Sequence, residues 1–165
     1  MIGDKSFFTC RRNGVFMLDF IRIITSFSGT LAFALLFNIR GKNLLFASLG
    51  GLVCGIVFYI FSLVSEREAL SFFAASVAVA AYAEIAARIL KAPATIFSAP
   101  GLIPLVPGGN LYYTMAAALH GNMADFFSCG MQTAYIALAI AAGILVVSPI
   151  KRLIVDIFEQ RLDKE

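Results

Sequence analysis

Charged residues divide the chain into long uncharged stretches at 23–39, 43–65, 69–83, 92–124 and 126–150. These are 17, 23, 15, 33 and 25 residues long and take up most of the sequence. A helix needs about 20 residues to cross the hydrocarbon core of a bilayer. The pattern predicts membrane-spanning helices over about 15–38, 44–64, 69–90 and 126–149. The first takes in Asp19 and Arg22 near one end, and the third includes Glu84 and Arg88. The last is expected to stop where Pro149 and Lys151-Arg152 meet water, leaving 150–165 as a tail. No stretch of about ten residues alternates in hydrophobicity as the strands of a membrane barrel do. The expected fold is an all-α integral membrane protein with one membrane domain over 1–165.

The remaining uncharged stretch has a different grammar. Residues 93–109 read PATIFSAPGLIPLVPGG and hold four of the five prolines. An interior proline removes a backbone donor and clashes with the preceding turn, so this piece cannot be one regular helix. It is also too apolar to rest in water. After it, Asn110 reads as an N-cap and Leu111 to Leu119 as a short helix closed by Gly121. The whole of 93–119 is therefore expected to be a broken membrane segment, two half-helices joined by an unwound Pro-Gly stretch. With the four full spans this makes five membrane segments.

Composition agrees. Of the 165 residues, 60% are hydrophobic and 14% charged, against about 45–50% and 25% in soluble domains, which excludes a water-soluble globule. Sixteen Phe in a weakly charged chain exclude a disordered tail. The net charge of +3 comes from scattered basic residues and implies no nucleic-acid surface. Cys10, Cys54 and Cys129 are far apart, so neither a disulfide framework nor a zinc site is indicated and no cofactor is expected. Arg11-Arg12 precedes an apolar stretch that lacks a small-residue cleavage site, and the stretch is read as a retained first span. Basic residues set orientation. Whether the broken segment crosses or re-enters, the tail falls on the richer side, by eight basic residues to four. The tail is thus expected in the cytoplasm, while the side of the N-terminus stays open.

Several residues carry chemistry. Gly51 and Gly55 form a GxxxG, and Ala74/Ala78 and Ala134/Ala141 make further small faces. Small residues let helices approach in lipid, either within this chain or against another subunit. Glu84 and Arg88 share a helix face at i, i+4. They form an interfacial pair, or Glu84 is a polar group on a translocation path, since charge near the bilayer centre is paired or faces water. Asp19 and Arg22 raise the same question. His120 is the only histidine and reads as a loop residue. No GxGD, GxSxG or HExxH occurs, so an enzyme is not expected. The Pro-Gly break is the most informative feature. Unwound backbone at membrane depth is tolerated only where protein buries it or it lines a cavity, and transporters aim half-helix N-termini at anionic groups in such breaks. A tight corner between spans is the other reading.

The string Phe97 to Tyr113, FSAPGLIPLVPGGNLYY, resembles the IP-x-x-PG-x-x-x-Y signature of the threonine/serine exporter family. Leu36-Phe37-Asn38-Ile39-Arg40 is similar to that family's Phe-Asn-(Val/Ile) stretch after its first span. The resemblance extends over about 20–150 and fits the small subunit type that works beside a larger component. It implies a bacterial inner-membrane subunit exporting small hydrophilic metabolites with that larger partner. The substrate implied is threonine or serine, or a dicarboxylate such as succinate in the split members. The expected substrate path holds Pro100, Gly101, Pro104, Pro107, Gly108, Gly109, Asn110, Tyr112 and Tyr113, with Glu84 if it faces the same cavity. An assembly subunit whose partner holds the whole path is the alternative.

Overall fold

The structure is a computed structural model that describes residues 16–65 and 67–162, with side chains placed from Ile21 to Pro149 apart from 22, 66 and 148. Cys10, Arg11 and Arg12 lie outside the described residues, as do the side chains of Asp19 and Arg22. Six helices follow one another: α1 (Phe16–Leu36), α2 (Lys42–Val64), α3 (Glu68–Leu90), α4 (Thr95–Leu102), α5 (Gly108–Leu119) and α6 (Met123–Leu162), with a 3-10 turn at Ile103–Leu105 between α4 and α5. No strand occurs among the described residues. Among the described residues, three helices are long and apolar enough to cross a membrane: Lys42–Val64, Glu68–Leu90 and Met123–Val147. In α1 the apolar part is the shorter Ile23–Leu36. Helix α6 does not stop at Pro149 but continues to Leu162. A proline cancels one hydrogen bond, and Ile150, Leu153, Ile154, Ile157 and Phe158 keep helical spacing beyond it.

Three of the helices end by one device. Asn38 (φ 57°), Lys91 (φ 50°) and Gly121 (φ 70°) each take the left-handed conformation just past a helix. The next N–H then donates back to a carbonyl five residues earlier: Ile39 to Ala34, Ala92 to Ala87 and Asn122 to Ala117, all at 3.0 Å. This bond pattern satisfies the carbonyls that a helix end leaves open. Ile39 and Ala92 then tuck into the core. The Phe37-Asn38-Ile39 stretch is thus a helix stop, with Asn38 tolerating the left-handed backbone and its Oδ1 accepting from Arg40 Nε at 2.9 Å.

Small residues bring the helices together. A Cβ at Gly51 would collide with Thr30 Oγ1 and lie 2.8 Å from the Ser26 carbonyl, and one at Gly55 would sit 3.2 Å from Ile23 Cα. The GxxxG therefore serves the α1–α2 contact inside this chain. On α3 the buried alanines are 75, 80, 83, 86 and 87, whereas Ala74 and Ala78 are only half-buried. On α6 Ala134 and Ala141 are exposed, and the buried line is Cys129, Ile136, Gly143 and Val147. Tyr82 Oη on α3 donates to the Phe46 carbonyl on α2 at 2.8 Å, tying those helices near the core of Ala34, Ala47, Ala83 and Phe97.

Contacts fix the relative directions of α3, α5 and α6. Gln132 on α6 meets Glu68 on α3, and Gly143 meets Ser76, so α3 and α6 run parallel. Gly130 on α6 meets Thr114, so the short α5 runs antiparallel to α6. Residues 93–122 therefore carry the chain from the C-terminal end of α3 back to the level of its N-terminal end.

Candidate functional site

The broken segment is built as two half-helices, as its prolines require, though one proline lies inside the first. Pro100 is buried within α4, where it cannot donate to the Ile96 carbonyl. The chain then tightens through the 3-10 turn carrying Pro104, with Val106 N–H donating to Ile103 at 3.1 Å. Next comes an inverse γ-turn at Pro107 (φ −76°, ψ 60°), closed by Gly108 N–H on the Val106 carbonyl at 2.7 Å. Helix α5 begins at Gly108, with Leu111 N–H on the Pro107 carbonyl. Asn110 is therefore inside α5 rather than its cap, and its carbonyl accepts from Thr114 Oγ1 at 2.7 Å.

The depth of the break follows from the α5–α6 pairing. Gly108 lies six residues before Thr114, a rise of about 9 Å at 1.5 Å per residue. That sets it level with Ile136, near the middle of the apolar stretch Met123–Val147. Leu105 agrees independently, since it packs in one cluster with Ile136, Cys54, Phe72 and Val79.

Beside the break is a cavity of about 350 Å3. Helix α1 contributes Thr25, Ser26 and Gly29, α2 contributes Cys54, Gly55, Tyr59 and Ser62, and Ile103–Val106 forms one wall. Glu68, in the first turn of α3, stands exposed at its mouth. Thr25 Oγ1 donates to the Ile21 carbonyl at 2.9 Å and Ser62 Oγ to the Tyr59 carbonyl at 2.8 Å. Each hydroxyl proton thus goes to its own helix. Gln132 Nε2 donates to Glu68 Oε2 at 2.9 Å, holding the carboxylate from α6.

Of the residues singled out by the sequence, Pro104 lines the cavity. Pro100 and Gly101 are buried behind it. Gly101 marks the α2–α4 crossing, where an added Cβ would lie 2.9 Å from Val79 Cγ1 and 3.8 Å from the Gly50 backbone. Pro107, Gly108, Gly109, Asn110, Tyr112 and Tyr113 leave the cavity with α5. Gly108 and Gly109 face open space, with no left-handed backbone to demand glycine. Tyr112 and Tyr113 are exposed, their rings edge to face at 5.6 Å. Glu84 lies half-buried about four turns further along α3, outside the cavity, and no described contact joins it to the exposed Arg88. His120 is exposed at the end of α5, its Nδ1 2.7 Å from the Ala116 carbonyl. The polar wall of Thr25, Ser26, Tyr59, Ser62 and Glu68 escaped the sequence reading. Only the spacing of Tyr59 with Ser62 hinted at it.

An all-helical membrane protein whose broken segment walls a cavity of mixed apolar and polar lining has the architecture of a transport protein. The family comparison agrees: the model of the family described as threonine/serine exporter, ThrE, matches residues 22–150. The chain belongs to that family. No curated protein and no solved structure matches it.

Proposed function

We propose that this chain is a multi-pass subunit of a bacterial inner-membrane exporter of small hydrophilic metabolites, acting with a larger partner subunit. Substrate passes through the cavity walled by Ile103–Val106. The carrying observation is that the broken stretch Ile103–Val106 walls a cavity that also presents Thr25, Ser26, Tyr59, Ser62 and Glu68. Non-helical backbone at membrane depth is tolerated only where it is buried or lines a wet cavity. The family supports threonine or serine as cargo, and a dicarboxylate is the other candidate. In this reading α1, α2, α3 and α6 are full spans and 93–119 is a fifth, crossing segment. The path runs past Pro104 and leaves Gly108, Gly109 and Glu84 to one side. An assembly role is the second reading, favoured by the exposed break at Gly108 and Gly109, which suits cover by a partner.

Gly29 provides the test. It lines the cavity, and an added Cβ there meets nothing within 4 Å. Gly29→Leu is expected to fill the cavity without disturbing the helices and to abolish export of radiolabelled serine or succinate at normal membrane abundance. Normal efflux would move the path into the partner.

A further inference from the structure

The cavity is chemically one-sided. Its only ionisable groups among the described lining residues are Cys54, Tyr59 and the Glu68 carboxylate. Thr25 and Ser62 donate to carbonyls of their own helices. A carboxylate at the mouth of such a wall suits a ligand rich in N–H donors. An ammonium brings three donors and a positive charge, whereas a carboxylate group brings only acceptors.

The placement of Glu68 is specific. The carboxylate sits at the start of α3, and an amide from another helix holds Oε2. No described group bonds Oε1. A flexible side chain loses rotamer freedom when it binds, so a neighbour that fixes it beforehand lowers that cost. Gln132 fits this role, because it reaches across the α3–α6 contact and touches the carboxylate without lining the cavity.

Building on the cavity as the transport path, we infer that Glu68 binds the ammonium group of the exported molecule and is the specificity-determining residue, with Gln132 as its positioning residue. The cavity then favours amino acids over dianionic dicarboxylates, whose charges repel Glu68.

The test uses the full chain in cells with its natural partner, preloaded with labelled serine or succinate over a concentration series. Wild-type protein should export serine with the lower half-saturating concentration. Glu68→Gln should raise that value for serine about tenfold or more, the scale of a lost charge-assisted hydrogen bond, and lower it for succinate. Gln132→Leu should move both values in the same directions by less, and Glu68→Asp should restore part of the serine preference. A wild-type preference for succinate overturns the inference. So does a serine value that Glu68→Gln leaves unchanged while Gly29→Leu still blocks export. Equal weakening of both substrates by Glu68→Gln indicates a merely structural role and also overturns it. Normal export by Gly29→Leu instead overturns the path itself, which separates the two failures.

Discussion

Glycine in this chain acts mainly through what a side chain would strike. At Gly101 a Cβ would press on Val79 and approach the Gly50 backbone, so Gly101→Val should force α4 away from α3. Overpacking of this kind costs about 1–3 kcal/mol, and membrane abundance and thermal stability in detergent should fall. Gly108→Val meets open space and should leave both unchanged. The glycines of the Pro-Gly motif look equivalent in sequence, because a sequence shows that a Cβ is missing but not what would have met it. Tyr82 makes the opposite point, with a polar atom buried between helices. Tyr82→Phe removes the bond to Phe46 and should cost about 0.6–2 kcal/mol, the range for interhelical hydrogen bonds in membranes. Chemical denaturation in detergent measures it.

At the scale of elements, hydrophobic run length located the four long helices, three of which are long and apolar enough to cross a membrane, because crossing lipid demands an unbroken apolar stretch whatever the tertiary packing. The Pro-Gly string likewise announced a break, since proline acts on its own backbone. Two boundaries depended on what no local rule contains. Helix α6 runs through Pro149 because helical spacing resumes beyond it, and α5 starts at Gly108 because the γ-turn at Pro107 aims the chain directly into it. The polar wall was hidden for a third reason. Thr25, Ser26, Tyr59 and Ser62 each look like a tolerated hydroxyl in an apolar run, and only the packing of α1 on α2 places them around one space. The antiparallel pairing of α5 on α6, which sets the depth of the break, rests on the contact of Thr114 with Gly130. A Thr114→Cys, Gly130→Cys double variant should therefore form a disulfide under mild oxidation, with the other cysteines replaced. Thr114→Cys with Leu138→Cys, two residues beyond the break's level, should not. Gel mobility after a protease cut between α5 and α6 reads the result.

For the whole molecule, the parallel run of α3 and α6 bears on a question that charge counting leaves open. Two parallel helices need a connection that returns along their length, which supports the proposal that the 93–122 segment crosses rather than re-enters. Loop Arg40–Lys42, loop Arg88–Lys91 and the tail then share one side with eight basic residues, and the N-terminal region with Arg67 share the other with four. The positive-inside rule leads us to expect the richer side in the cytoplasm, with the 120–122 turn and Glu68 on the outer side. In a chain stripped of Cys10, Cys54 and Cys129, Asn122→Cys should react with a membrane-impermeant maleimide in intact cells, and Lys91→Cys only after permeabilisation. Reaction at Lys91→Cys alone in intact cells would invert the orientation. Equal reactivity of both positions from one side would mean that the segment re-enters, and α3 and α6 could not then run parallel.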